Sequence, residues 1–443
     1  MSQNETILIR MSQTRPSPSD SVLAVDFGTS HSLVGALHHN KRVEALPIDP
    51  GSADSSLMRT LLYFPHADKC YYGSEALTKY TENEMEGRLF RSFKTHLPNK
   101  NYIGTVIDNR ILSLETIIGL FLLELKKRAE KLLGTSITKA VIGKPARYSM
   151  DDVADEFAIY RMRKAAEYAG FKEINFVPEP LAAALDFKRQ IQGEKIILIG
   201  DFGGGTSDFT IMKITPNAFK KTDVLGVDGC PMAGDVLDSL FMQNRLSSGF
   251  GAQTQYRFPM SENILSMPAS VMERLNRPSQ IVHLKDRETY EFIKEVRKCA
   301  LKTEDKDKID RLFILVEDQQ IFSFFEEIEK TKINLSGRDT SNFNFKYPDL
   351  ETREVFSTVE FQNWAEKFKA GVFAALERCF EQAQIKHSQI DHVFLTGGTA
   401  HVPFIQQEFI KRFGSAKLQS KNFFHSILSG LIESAKNPDE FKN

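Results

Sequence analysis

The sequence predicts an α/β protein of two similar lobes, the second carrying a divergent insertion. Two observations lead there. Strand-like and helix-like apolar patterns alternate along most of the chain, as they do when helices cover the faces of sheets. One motif also occurs twice. "VLAVDFGTSHSLVGAL" from Val22 and "ILIGDFGGGTSDFTIM" from Ile197 each run an apolar strand into Asp-Phe-Gly, a hydroxyl-rich turn and a second alternating strand, 175 residues apart. A repeated element marks a repeated structural unit, here a pair of lobes rather than a solenoid.

The elements follow in order. Asp26 and Gly28 end the first apolar strand, and Leu33, Gly35 and Leu37 alternate back, so two strands flank a tight turn. Residues 113–134 place Leu114, Ile117, Ile118, Phe121 and Leu125 on one helical face, with Ser113 as cap and Gly134 as stop. A strand "KAVIGKP", a helix from about Asp151 to a stop at Gly170, a strand "EINFVPEP" and a small-residue helix "PLAAALDF" come next. Residues 188–195 read as a polar connector to the second hairpin. Over 245–325 the pattern weakens: Pro259, Pro268 and Pro278 interrupt it, and "VRKCALKTEDKDKIDRL" reads as exposed helix. "IDHVFLTGGTAHVPFIQQEFIKRFG" is again clear, a strand, a glycine turn and a helix opened by Pro403 and closed by Gly414. The expected division is a tail at 1–20, lobe I at 21–194, lobe II at 195–391, a return to the cleft at 392–436 and a tail at 437–443.

Composition bounds the function. The 443 residues suffice for two to four packed domains. A net charge of −1 gives no long-range attraction to nucleic acid or acidic lipid. The greasiest run, "TIIGLFLLELKK", is cut short by charges before it could span a membrane. Cys70, Cys230, Cys299 and Cys379 form no CxxC pair, which disfavours a zinc site and suits reduced thiols in the cytoplasm. The first twenty residues lack the apolar core of a signal peptide and read as a disordered tail, with Met11 an alternative start. A cytoplasmic monomer is expected.

The two hairpin turns carry the chemistry. Glycine lets other groups approach the backbone, and successive N–H groups in such a turn suit phosphate oxygens. Thr29, Ser30 and Thr206 add hydroxyls. Asp26 and Asp201 would repel bare phosphate, so an acid beside each loop implies a cation, best Mg²⁺, which keeps its waters and needs few carboxylates. One such hairpin is as readily an ordinary glycine turn. Two matched copies, each with an aspartate, are not explained by turn chemistry alone. There is no GxxxxGK[ST] and no GxGxxG opening a helix, and the two "DFG" triplets lack the other kinase signatures.

These motifs together resemble the actin-like ATPase superfamily, and within it the nucleotide-binding domain of the DnaK-type heat-shock chaperones (the heat shock protein 70 family). The likeness runs from about Val22 to Ala435 and is strongest at the two hairpins, at "AVIGKPARYSMDDVADEFAIYRMRKAAEYAGFKEINFVPEPLAAALDF", at "EKTKINLS" and at "VFLTGGTAHVP". The layout is most similar to YegD-like proteins. The resemblance implies a two-lobed actin-like ATPase fold of duplicated ribonuclease H-like domains that binds ATP or ADP with Mg²⁺. Asp26 and Asp201 would orient the ion through its waters. Gly28, Thr29 and Ser30 would hold the β- and γ-phosphates, with Gly203, Gly204, Gly205 and Thr206 opposite. Lys94 would stand beside the γ-phosphate, and Glu179 or Asp208 would accept the proton of the attacking water. On residues alone, Lys94 reads as a surface lysine and Glu179 as a loop acid. Pro145 would report nucleotide state between the lobes. Glu329, Lys332 and Ser336, on one helix face, would bond the adenosine, alongside Gly234, Gly397, Gly398 and His401.

Several positions depart from the family pattern. "CPMAGDVLD" puts Ala233 and Val236 where a glycine and an aspartate are usual. His401 replaces an arginine that stacks on adenine, and Phe424 falls near a usual aspartate. These changes bear on the adenine end and leave the phosphate end intact. Only thirteen residues, mostly polar, follow Gly430, so the family's peptide-holding β-sandwich is not expected. The leading expectation is a slow Mg²⁺-dependent ATPase of the DnaK chaperone type, whose lobes move with nucleotide state and signal to an unknown protein; 245–325 is either the docking surface or a tolerated insertion. The alternatives are a nucleotide-sensing module with negligible hydrolysis and a small-molecule kinase of the same superfamily.

Overall fold

A computed structural model describes residues 21–83, 86–149, 151–188, 193–215, 223–277, 280, 284–318, 320–419 and 423–436. The tails read at 1–20 and 437–443, residues 189–192 of the connector, Pro278 and the side chain of Phe424 lie outside them.

Two sheets share one strand order. In lobe I, Val22–Phe27 pairs antiparallel with His31–His38 and parallel with Lys139–Lys144. Glu173–Pro178 extends one edge and Lys41–Val43 the other. In lobe II, Lys195–Phe202 pairs antiparallel with Ser207–Ile214 and parallel with His392–Thr396. Leu418–Gln419 and Val224–Cys230 lie outside them. The repeat extends to register. Asp26 faces Leu33 and Phe27 faces Ser32; 175 residues on, Asp201 faces Asp208 and Phe202 faces Ser207. Because side chains alternate across a strand, both hairpins deliver their aspartate at the same place.

Local signals set the flanking helices. Ser113 caps Leu114–Leu133 by accepting from Thr116 N, and Gly134 ends it at φ 68°. Asp151 caps Asp152–Tyr168 by accepting from Ala154 N, and Gly170 follows at φ 81°. Each lobe has its own apolar core. A third core lies between the sheets, where helices Glu179–Lys188 and Phe423–Ser434 pack together against Ala24, Leu33 and Val141 on one side and Ile197, Ile199 and Phe394 on the other. The small residues make this close approach possible: a Cβ on Gly430 would lie 1.7 Å from the Ala182 carbonyl oxygen. That contact fixes Glu179, the first residue of its helix.

The stretch read as one exposed helix is two. Arg287–Cys299 and Thr303–Glu317 are separated because the backbone at 299–301 bonds to 255–257: Arg257 N donates to Cys299 O and Leu301 N to Gln255 O. Nor is the region wholly exposed. Val296, Ile309, Leu312 and Leu315 are buried in the lobe II core with Phe250 and Phe324. The following helix Ile321–Leu335 leads into a hairpin of Thr340–Tyr347 and Leu350–Ser357, which seats Phe343 and Phe345 in the same core.

Candidate functional site

Both hairpin acids end the first strand of their lobe, near enough for Asp201 to act on Asp26. Asp26 ends the first strand of lobe I and is buried; Asp201 holds the equivalent place in lobe II. Lys94 lies on the short turn Phe93–His96 of lobe I, and its Nζ donates to Glu179 Oε1 at 3.0 Å. Both side chains are buried, each residue only 7% exposed, so the pair is sheltered from the solvent that weakens surface ion pairs.

The electrostatics gather five groups. Asp26 interacts with Glu179, Lys94 and Asp201, and Asp208 interacts with Asp201, Glu179 and Lys94. Four carboxylates therefore share one ammonium. Burial, reinforced by Glu179 and Asp201, holds the Asp26 carboxyl well above the usual range. Burial and Glu179 push Asp201 up to about 6. Burial, then Asp201 and Glu179, push Asp208 up to about 7. Burial alone would lower the Lys94 pKa, but Glu179, Tyr148 and Asp26 hold it above the usual lysine range. Such a cluster favours an added positive charge, because each shifted carboxyl is paying the desolvation cost of its ionised form.

The glycine turns face each other. A Cβ on Gly204 would lie 2.9 Å from Ser30 Oγ, and one on Gly205 would lie 3.3 Å from Thr95 Cγ2. Thr60 braces the first loop, donating to Gly28 O at 2.9 Å while its backbone N donates to Ser30 O; Thr29 sits between these two anchored residues. The second loop closes on itself through Gly203 N to Thr206 O, and Thr206 Oγ1 donates to Asp208 Oδ2 at 2.8 Å. Gly234 N and Asp235 N, at the start of helix Gly234–Asn244, donate to Gly203 O and Gly204 O. Gly397, at φ 82°, abuts the same loop: a Cβ there would lie 2.0 Å from Phe202 O. Gly398 starts the turn Gly398–His401, and His401 ends it exposed to solvent.

Glu329 and Lys332 lie on helix Ile321–Leu335, with Ser336 as its C-cap. Lys332 is committed to a partner, its Nζ 2.7 Å from Asp238 Oδ1, both side chains buried. Burial pushes Asp238 up to about 6 against the pull of Lys332. The exposed Glu329 carboxylate acts on Asp235 and Asp238, and Ser336 Oγ turns back to Lys332 O at 3.5 Å. This group lies beside Gly234, whose added Cβ would lie 3.5 Å from Lys332 Nζ.

The family model for the Hsp70 protein matches residues 71–240 and 296–423. The chain belongs to the Hsp70 family. Its two equivalent sheets are accordingly the duplicated ribonuclease H-like domains of the actin-like ATPase fold. Hsp70 membership carries ATP binding and a chaperone-type function, and the family binds ATP or ADP with Mg²⁺. The matched residues include Lys94, Glu179, Asp201, Asp208, Glu329 and Gly397. The first hairpin precedes them, and its equivalence to the second rests on register. Among the described residues, no helix is long and apolar enough to cross a membrane.

Several residues around this candidate site were not expected from sequence. Thr396 donates through Oγ1 to Asp201 Oδ1, a contact set by the parallel pairing of their strands. Thr60, Thr95 and Thr399, whose Oγ1 donates to Gly203 O at 3.3 Å, brace the turns. Asp238 follows Asp235 by one helical turn, a spacing by which it could have been found. The lobes are also tied at their rims: Arg59 meets Glu326 at 2.7 Å, and the Arg91 guanidinium lies 5.6 Å from the Phe322 ring centre.

Proposed function

We propose that the protein binds Mg²⁺ and ATP between its lobes and hydrolyses the nucleotide slowly, with lobe movement passed to a protein partner. One observation carries this reading: Asp26, Lys94, Glu179, Asp201 and Asp208 converge from both lobes beside two glycine turns. Four acids around one lysine suit a divalent cation. Asp26 and Asp201 would hold such an ion through its waters, since Mg²⁺ needs few direct carboxylates. When bound, Mg²⁺ would neutralise phosphate charge.

The chain's own groups would then act as follows. Gly28, Thr29 and Ser30, with Gly203, Gly204, Gly205 and Thr206, offer backbone and hydroxyl donors to the phosphates. Lys94 stabilises charge at the terminal phosphate. Glu179, fixed by Lys94, orients the attacking water, and Asp208, with its pKa near neutrality, accepts the proton. Glu329, Lys332 and Ser336, with Gly234, Gly397, Gly398 and His401, take the adenosine. The rim contacts of Arg59 and Arg91 support a coupling between nucleotide and lobe angle. The YegD-like layout and the 245–325 partner surface belong to this proposal too.

The test is single-turnover release of the terminal phosphate. Slow release that disappears in Lys94→Ala is expected; release unaltered by that change would refute the assignment. A second reading, nucleotide sensing without hydrolysis, draws support from the Lys332–Asp238 pair and from Ala233, Val236 and His401. It would be favoured by stoichiometric ATP binding with hydrolysis at background.

A further inference from the structure

Arg161, on helix Asp152–Tyr168, keeps a guanidinium inside lobe I with only 2% of the residue exposed. Its Nε donates to Glu115 Oε1 at 2.6 Å, on the neighbouring helix Leu114–Leu133. The other end serves one short stretch of chain. Nη2 donates to Tyr102 O at 2.9 Å, and Nη1 donates to Asn99 O at 3.1 Å and His96 O at 3.4 Å. One planar group thus gathers three carbonyls that lie 59 to 65 residues away in sequence.

That stretch begins with the turn that carries Lys94. From Phe93 to Tyr102 it belongs to no strand, and successive turns shape it: Leu97 N donates to Lys94 O, Asn99 N to His96 O and Tyr102 N to Asn99 O. The His96 and Tyr102 rings stack with 4.2 Å between their centres, which ties the far part of the stretch back to the turn. Phe93 and Leu97 pin the near part in the lobe I core; Arg161 holds the backbone beyond them. Two side chains of the turn reach the site. Lys94 Nζ meets Glu179 at 3.0 Å, and Thr95 Cγ2 would lie 3.3 Å from a Cβ on Gly205. A guanidinium is costly to bury unless its donors are satisfied. Its flat fork imposes a geometry that neither an apolar side chain nor a lysine reproduces.

We propose that Arg161 is a positioning residue for hydrolysis: by gathering the carbonyls of His96, Asn99 and Tyr102, it fixes the turn from which Lys94 meets Glu179. This rests on the hydrolytic reading above. The guanidinium is committed to Glu115 and these carbonyls rather than to the nucleotide. Other segments offer the adenosine contacts and the glycine turns, so loss of the fork slows the chemical step and spares nucleotide binding.

Single-turnover phosphate release and calorimetric titration with Mg²⁺ and ADP, both on Arg161→Lys, test the proposal, with a melting curve to show that the variant folds. The lysine keeps the charge and lacks the fork. Release is expected to slow by a factor on the order of 10 to 100, as for a small misplacement of a catalytic group, with ADP affinity at the wild-type value. Glu115→Gln keeps the arginine and weakens its anchor. It is expected to slow release in the same direction with ADP affinity unchanged, and it decides the matter if Arg161→Lys does not fold. Wild-type release in whichever variant folds would overturn the proposal and leave the turn to Phe93 and Leu97. Equal losses of release and of ADP affinity would overturn it in favour of a purely structural role. If the unmodified protein released no phosphate, the hydrolytic reading would fall and this one with it; turnover by the wild type with indifferent variants would remove this one alone.

Discussion

Lys94 and Glu179, 85 residues apart in the chain, form a buried ion pair at 3.0 Å where the two lobes meet. Removing either partner of a buried pair leaves the other uncompensated, at a cost of about 3–5 kcal/mol. Here the remaining charges are mostly negative, so the two halves of the pair are not equivalent. Lys94→Ala leaves four acids together and should lower the melting temperature more than Glu179→Gln. Added Mg²⁺ should recover part of the loss in Lys94→Ala. Differential scanning calorimetry with and without Mg²⁺ checks this ordering; equal losses insensitive to Mg²⁺ would contradict it.

The raised carboxyls give a pH dependence of defined sign. Asp201 at about 6 and Asp208 at about 7 are both raised above their usual values, chiefly by burial. A raised carboxyl binds its proton more tightly folded than unfolded, so its contribution is complete below about pH 4 and is lost as pH rises through 6 to 7. Without divalent cation, that contribution should fall across this window, and Asp208→Asn should flatten the fall. Stabilisation by Mg²⁺ should run the other way, growing as the carboxyls ionise. Melting curves from pH 5 to 8, roughly spanning these values, decide it.

Gly397 and Gly398 make a controlled pair. An alanine at 397 meets both a left-handed backbone and the Phe202 carbonyl, whereas a Cβ at 398 meets open space. Gly397→Ala should therefore cost stability, on the order of 1–3 kcal/mol from the backbone strain with more from the clash. Gly398→Ala should leave stability unchanged and, if adenosine lies there, weaken ATP binding. Denaturant unfolding and ATP titration of both variants separate folding from binding.

Arg59 and Glu326 bridge the lobes through partly exposed side chains. Such pairs contribute little to global stability, about 0–1 kcal/mol. Arg59→Ala should therefore hardly move the melting temperature. It should speed release of a fluorescent ADP analogue a few-fold, since a rim tie opposes opening of the cleft. Release unchanged in Arg59→Ala, Glu326→Ala and the double variant would show that the tie does not gate exit.

Much of this architecture was legible because it is written twice. The recurring Asp-Phe-Gly located Asp26 and Asp201, and the period of two placed them on matching faces. Helix Leu114–Leu133 was legible to its ends, since Ser113 and Gly134 are unambiguous caps. Contacts between distant segments were not. Thr396 reaches Asp201 only through strand pairing, and nothing local to Lys94 announces Glu179; the family resemblance supplied that link. In 245–325 short apolar faces such as Ile293 with Val296 are crowded by charge, so two half-buried helices looked like one solvated helix. The alternation in "TSNFNFKY" is itself a strand signal, matching the observed alternation of exposed and buried residues.

The most direct test is a calorimetric titration of the protein with ATP, run with Mg²⁺, with a chelator, and with Asp26→Asn and Asp201→Asn in the presence of Mg²⁺. One nucleotide per chain, bound tightly with Mg²⁺ and weakened both by the chelator and by each substitution, is the expected result. ATP binding indifferent to the cation and to both aspartates, or no binding at all, would contradict a shared phosphate site between the two hairpins.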